Sequence, residues 1–293
     1  MLTRPCLKLL TRSRLWVVLF AGVCLPVSAS DYGTTGLIDT PTARMQSDGT
    51  FSTTAAFDGR QRQFAITYQA TPWLEGTFRY SGWYDQSVYT WDRNYEFKAR
   101  LWEEELYLPA LAVGIRDLVG TGVFGSEYIV ATKGFGRTDI SLGMGWGRLA
   151  GKGDISNPAK LVSDRFDVRD SNFGLGGELS YGSFFSGPEV GFFGGVSHTF
   201  DGLPLTAIAE YNPDQYDFDA SRGGLRPKSP LSIGLIWNAL PGVAVTASYQ
   251  HQEEVGLAFR FSLDSSAEPP RRAPNEFISS YYLSQADLPP QIN

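Results

Sequence analysis

Two histidines are the chain's only imidazoles, His198 and His251. Beside them stand Ser197 for the first and Glu253 and Glu254 for the second. A hydrolytic triad can be assembled from such residues only if folding brings a nucleophile, a base and an acid together. No strained nucleophile turn and no metal-ligand spacing accompanies them. The sequence therefore predicts polar histidines in turns or at an interface, no catalytic residues, no metal and no cofactor. More suggestive are charges that recur at every second position. Glu75, Arg79, Glu96, Lys98, Arg100 and Arg116 alternate with apolar residues. Such a row lines either a water-filled lumen, where rings of charge select solutes, or a lumen closed by mutual ion pairing. Basic lumen residues of this kind could engage acidic sugars. Aromatic residues cluster between Trp83 and Tyr95, with Trp83, Tyr84 and Trp91 among acidic and basic neighbours. That pattern suits sugar stacking, and it equally suits an aromatic girdle at a membrane interface. Asp39 and Arg44 flank Thr40-Pro41, where a regular central strand is excluded. The segment 31–45 is expected to enter the lumen as a constriction touching wall charges, or else to form a first strand with a turn.

The elements that must position these residues read as strands. Phe64, Ile66 and Tyr68 alternate with Gln63, Thr67 and Gln69. The same period of two recurs at 74–80, 95–101, 110–116, 139–146, 190–196, 205–211, 231–237, 243–249 and 254–261. Each segment carries one apolar face and one small or polar face, and runs about 8–10 residues, the length of a tilted membrane strand. Apolar faces end in aromatics such as Trp73, Tyr80, Trp146, Trp237 and Tyr249. Turn pairs such as Asp58-Gly59 and Asp201-Gly202 punctuate them. No helical period is sustained. A soluble sandwich would also alternate, but a half-charged face and aromatic ends favour a membrane barrel. In a bilayer an open sheet edge would leave backbone groups unpaired, so the strands must close. The expectation is an all-β fold, one transmembrane antiparallel barrel of about 12 strands over residues 50–263. Counting segments from the two ends assigns opposite sides to the loop near residue 160, so one segment near 174–181 or 190–198 is in question.

The flanks differ in kind. Arg4, Lys8, Arg12 and Arg14 precede an apolar run from Leu15 to Val27, and Val27-Ser28-Ala29 fits a cleavage site, so residues 1–29 read as a secretory signal. Cys24 follows Val23 where lipidation requires a small residue, which favours cleavage after Ala29. Cys6 and Cys24 are the only cysteines, so a mature chain has no thiol for a disulfide. The 25 basic and 31 acidic residues give −6, and losing four basic residues leaves −10. A nucleic-acid footprint is excluded on that balance. Residues 264–293 form a polar, proline-rich tail. The segment 254–261, EVGLAFRF, places Gly256, Phe259 and Phe261 in the pattern of a last strand handed to barrel-insertion machinery.

Several stretches resemble a known family. GTTGLIDTPTARM (33–45), YQATPWLEGTFRYS (68–81), LPALAVGIRDLVGTGVFGSEYIVATKGFG (108–136), LGMGWGRL (142–149) and AEYNPDQYD (209–217) are similar to the YjbH family. The resemblance implies a barrel in the outer membrane of a Gram-negative bacterium, in contact with its lipid. It further implies a part in exopolysaccharide or capsule secretion, with exopolysaccharide and other secretion components as partners. Long members carry a second large region absent from this sequence. Composition and periodicity alone imply only a barrel, which leaves a solute porin, an outer-membrane enzyme and a structural or adhesive barrel as competing functions.

Overall fold

In a computed structural model, residues 28–59, 61–85, 88–169, 183–221 and 226–265 are described. The signal segment through Val27, including Cys6 and Cys24, lies outside them, as do 174–181 and the tail from 266. The strands in chain order are β1 (Thr50–Asp58), β2 (Gln61–Thr71), β3 (Leu74–Asp85), β4 (Val88–Trp102), β5 (Ala110–Arg116), β6 (Ser126–Phe135) and β7 (Thr138–Gly145). They continue with the short β8 (Ile155–Ser156), then β9 (Glu189–Thr199), β10 (Leu205–Tyr211), β11 (Leu231–Leu240), β12 (Val243–Gln250) and β13 (Glu254–Asp264). Each pairs antiparallel with its neighbour, and β8 only adds an outlying pairing to β9. The other 12 strands close, because β13 pairs with β1 from Thr50↔Asp264 to Asp58↔Gly256. The segment 190–198 is a genuine barrel strand, joined to β7 by Thr138↔His198 through Gly145↔Gly191.

An even count settles the parity conflict. β1 starts and β13 finishes at one end, here the terminal end, where the connections 72–73, 103–109, 136–137, 200–204 and 241–242 are short. The opposite, distal end carries the long connections 146–188 and 212–230. The only α-helix among the described residues, α1 (Asp217–Ser221), lies in the second of these.

The burial pattern is inside out relative to a soluble domain. Along β2, Gln61, Gln63, Thr67 and Gln69 are buried, whereas Phe64, Ile66 and Tyr68 are exposed. In β13, Gly256, Ala258 and Arg260 face inward and Val255, Leu257, Phe259 and Phe261 face out. Period two sends alternate residues to opposite sides of the sheet, so the apolar band surrounds the barrel. Water does not tolerate so large a contiguous apolar surface on a monomer, whereas a bilayer requires it. Aromatic contacts reinforce the band: Tyr80 stacks on Trp91 at 4.7 Å and 14°, and Phe57 meets Phe64 edge-on at 5.8 Å.

Ile66 sits at the middle of β2 on that outer face. Ile66→Arg is expected to destabilise the inserted barrel by about 2–4 kcal/mol. Denaturant unfolding from lipid vesicles measures the difference, and a shift below 0.5 kcal/mol would contradict the membrane-facing assignment.

Candidate functional site

The inside of the barrel is filled by its own N-terminal segment. Residues 30–43 are buried, and they form no regular element beyond the isolated bridges Ala29↔Thr35 and Gly36↔Pro41. Both ends of this segment lie toward the terminal end. Gly49 donates to the Gln69 carbonyl at 2.9 Å, and Ser28 and Ala29 line a small cavity with Asn238 and Ala244. Its sequence is suited to threading through a narrow space. Gly33 has φ +90°, and a Cβ there would lie 2.2 Å from Ala65 Cβ. Only glycine satisfies both the backbone angle and the approach.

Irregular backbone at this depth must find partners inside the protein. Wall carboxylates supply acceptors. Glu210 on β10 accepts from Ile38 N–H at 2.9 Å, Asp39 N–H at 3.0 Å, Thr40 N–H at 2.9 Å and the Thr40 hydroxyl at 2.8 Å. Three successive amides thus converge on one carboxylate, an anion nest. Glu75 on β3 accepts from the Thr35 amide at 2.9 Å and from its hydroxyl. Wall cations supply donors. Lys98 Nζ reaches the carbonyls of Thr35 at 2.9 Å and Arg44 at 3.0 Å, and Arg116 Nη2 reaches that of Asp39 at 2.7 Å. Thr132 and Gln69 accept from the amides of Ala43 and Gln46. Apolar packing adds to these bonds at three places: Tyr32 clusters with Trp83 and Phe124, Leu37 and Ile38 with Ile208 and Ile236, and Ala43 with Tyr128 and Leu149.

The charged positions singled out in the sequence fall into this arrangement. Glu75, Arg79, Glu96, Lys98 and Arg116 are buried and face the lumen. They pair with one another: Lys98–Glu75 at 3.2 Å and Arg79–Glu96 at 2.7 Å. Arg79 and Arg116 also sandwich the Tyr32 ring, at 4.2 and 4.5 Å from its centre. Arg100 is at the terminal rim beside a bulge and pairs with Glu103. Asp39 and Arg44 both contact wall groups, at opposite mouths. Arg44 forms a bidentate pair with Asp139 at 2.7 and 2.8 Å, and reaches Glu104 at 2.7 Å. Burial opposes ionisation of Glu104, but bonds from Lys133, the Gly134 amide and Arg44 outweigh it and hold its carboxyl down at about 2.

The aromatic cluster requires correction as a sugar-stacking surface. Trp83 points inward, buried against Phe124 and Phe218 at 5.9 and 5.6 Å. Trp91 points outward onto Tyr80. The β3–β4 hairpin extends to Asp85 and Val88, and its alternation sends the two indoles to opposite faces. They share no platform; the Tyr84 side chain lies outside the described residues. His198 is exposed and bonded to Thr138 at 2.8 Å. His251 is instead fully buried at the distal mouth, where Asp39 and the loop residue Tyr216 meet it. Sequence reasoning placed His251 in a turn but did not connect it to Asp39. Glu210, Tyr216 and Arg148 were also missed, the last pairing with Asp214 at 2.6 Å and Asp219 at 2.8 Å across the distal loops.

Residues 28–281 match a family described as "Exopolysaccharide biosynthesis protein YbjH". The chain belongs to the YjbH family. An Escherichia coli (strain K12) member named "Uncharacterized lipoprotein YjbH" is 37% identical over 246 residues, covering 80% of this chain. This chain covers 34% of that protein, so it spans about a third of the relative's length. Distant likenesses among solved structures include the KdgM porin (TM-score 0.39, 7% identity, 73% of this chain and 97% of that one) and the NanC porin (0.37, 6%, 72% and 97%).

Glu210→Ala would leave three buried amides without an acceptor. It is expected to destabilise the folded chain by about 2–4 kcal/mol and to open residues 30–46 to protease. Arg137→Ala, which breaks the exposed pair to Asp201, should shift stability by less than about 1 kcal/mol. Equal shifts in a denaturant titration would refute the assignment of Glu210 as the anchor. The Glu104 cluster predicts an acid response. With the folded value depressed, its stabilisation is complete above the ordinary 4.5 and is lost as pH falls toward about 2. Fluorescence of a probe at Ser47 should therefore report loosening of the Arg44 end within that window, and not in Glu104→Gln.

Proposed function

We propose that this barrel sits in the outer membrane of a Gram-negative bacterium and takes part in exopolysaccharide or capsule export, as a gated passage or as an accessory beside one. The observation that carries the reading is a charge-lined lumen occupied by a segment whose two described ends both lie in the terminal half of the barrel. Such a segment can leave and return without threading its chain through the barrel. Membership of a family described by exopolysaccharide biosynthesis supports the polymer class. Short turns at the terminal end and long distal loops support a periplasmic position for both ends of the barrel domain. Partners on this reading are outer-membrane lipid, the barrel-insertion machinery acting on a strand that includes Gly256, Phe259 and Phe261, and secretion components of the periplasm. The Escherichia coli relative extends well beyond the region it shares with this chain.

The proposal gives the lumen charges a different task from direct sugar binding. Arg79 and Lys98 are committed to Glu96 and Glu75 while the segment is in place. Sugar contact with them requires the segment to move first. A general solute porin is the runner-up, and it shares the need for a movable segment.

Removing residues 31–45 is expected to raise single-channel conductance in planar bilayers from near zero to a sustained open level. The cysteine pair Ala43→Cys/Thr132→Cys, placed where backbone and wall already touch at 2.9 Å, should block polymer release by a deletion strain when oxidised and restore it on reduction. Polymer export that ignores the cross-link, in a strain that inserts the variant normally, would eliminate the gated-passage reading. Altered small-solute uptake with normal polymer would favour the porin.

A further inference from the structure

At the distal mouth three separate parts of the chain meet around one carboxylate. Asp39 comes from the lumen segment, His251 from the β12–β13 turn, and Tyr216 from the β10–β11 connection. His251 Nε2 lies 3.3 Å from Asp39 Oδ2 and 3.2 Å from Tyr216 Oη, and Tyr216 Oη donates to the same Asp39 oxygen at 3.0 Å. The other ring nitrogen, Nδ1, faces the Ser229 carbonyl at 3.2 Å. All three side chains are buried. Both wall-side residues hold left-handed backbone angles without being glycine: φ is +51° at Tyr216 and +55° at His251, with Gln252 at +56°. Such angles persist only where surrounding contacts over-determine them, and they concentrate at switching and binding sites.

We infer that Asp39, His251 and Tyr216 form a proton-operated latch that holds the lumen segment shut at the distal mouth. The inference rests on the gated-passage reading and deepens it by naming what opens the gate. The chemistry follows from the donor inventory. Nδ1 meets only a carbonyl, so it carries a hydrogen. With the Tyr216 hydroxyl donated to Asp39, Nε2 meets two acceptors and in this arrangement is satisfied as N–H. The ring that fits both neighbours is the imidazolium, paired with the Asp39 carboxylate. When the Nε2 proton leaves to water, a lone pair faces the carboxylate. The Tyr216 hydroxyl, 3.2 Å away, can then turn to Nε2, and Asp39 loses both side-chain bonds at once.

The other groups around the latch do not replace them. Arg116 holds the Asp39 carbonyl, not its carboxylate. Glu210 holds the Asp39 amide, not its carboxylate. Asp31 is tied to Gln250 at 2.8 Å. On the His251 side, Ser232 accepts from its amide at 3.1 Å, and Lys228, whose amide donates to the His251 carbonyl, is paired with Glu253. Burial drives the His251 pKa down, but Asp39 outweighs it and raises the value above 6.5. Burial likewise raises Asp39, and the bond and charge from His251 outweigh it, leaving that group below 3.8. For a raised histidine the pairing is complete below 6.5 and is lost as pH climbs through the folded value. The latch therefore closes below 6.5 and releases as pH climbs through the raised His251 value.

Planar-bilayer conductance of the inserted chain, recorded from pH 6 to pH 9.5, tests this with potassium chloride as the conducted solute. The wild type should pass little current at pH 6, and its open-to-closed ratio should rise by up to tenfold per pH unit between 6.5 and the folded His251 value, the limiting slope for release of one proton, and level off above it. His251→Gln and Asp39→Asn should each flatten that profile, the second by removing the charge while keeping the side chain's shape. The chain lacking residues 31–45 serves as reference: high conductance without pH dependence shows that the segment closes the barrel. If that deletion conducts no better than wild type, the gated-passage reading fails and the latch with it. If the deletion opens the barrel but the wild type is flat with pH, or either point variant keeps the wild-type slope, the latch alone is overturned.

Discussion

Everything inside this barrel depends on how a stretch of irregular backbone is satisfied away from bulk water. A buried amide or carbonyl without a partner costs about 1–3 kcal/mol, and residues 30–43 bury many such groups with little regular structure to pair them. The wall answers with charges rather than with a strand. Glu210 and Glu75 take amides, and Lys98 and Arg116 take carbonyls. Charge-assisted bonds are stronger than neutral ones, so a few side chains hold a long segment. The same wall charges would be costly to bury alone. Segment and wall thus satisfy each other, and neither is well accommodated without the other or water in its place.

That dependence is uneven, and the unevenness says how the segment is held. Lys98 and Glu75 already pair with each other, as do Arg79 and Glu96. If the segment left, each would keep a partner. Glu210 is different: among the described residues no lysine or arginine pairs with it, and its partners belong to Ile38, Asp39 and Thr40. The grip is therefore strongest near Asp39, toward the distal mouth, while the middle of the segment rests on a wall that is self-sufficient. At the terminal rim, Arg44 shares Glu104 and Asp139 with partly exposed surroundings, where screening weakens a pair.

Much of this architecture could be read from residue types alone. Period two in β2 and β13 identified the faces, and the charge at Glu75, Arg79, Glu96 and Lys98 identified which face was inward. Pro41 and the glycines around it marked 31–45 as irregular. What failed was extent. The stretch from Trp83 was treated as an aromatic cluster of its own. Continuing the alternation from Arg79 through Ser81 would have turned Trp83 inward, and running it back from Lys98 through Asp92 would have turned Trp91 outward. Glu210, His251 and Tyr216 were illegible for another reason. Each is 170 residues or more from Asp39 in sequence, and no local pattern encodes which wall residue a buried aspartate will meet. Closure of the sheet by β13 on β1 brings them together, and that is a property of the whole ring.

Ring closure also bears on how the wall can serve two states. The strands are tied to both neighbours all round, so the wall resists change, and a packed interface of this kind switches between arrangements instead of deforming gradually. The segment has no such ties: its links to the wall are polar contacts at separate points and apolar packing of Tyr32 in the cluster of Trp83 and Phe124, of Leu37 and Ile38 with Ile208 and Ile236, and of Ala43 in the cluster of Tyr128 and Leu149. A rigid ring around a filler that shares no strand ladder with it favours movement of the filler alone. Water entering behind it could take over the bonds of Glu75, as water does for any exposed carboxylate. The difference between the occupied and the vacated lumen then reduces to a few contacts that water replaces poorly. Foremost among them is the anion nest at Ile38–Thr40, where three amides converge on one carboxylate in a geometry that separate waters cannot reproduce.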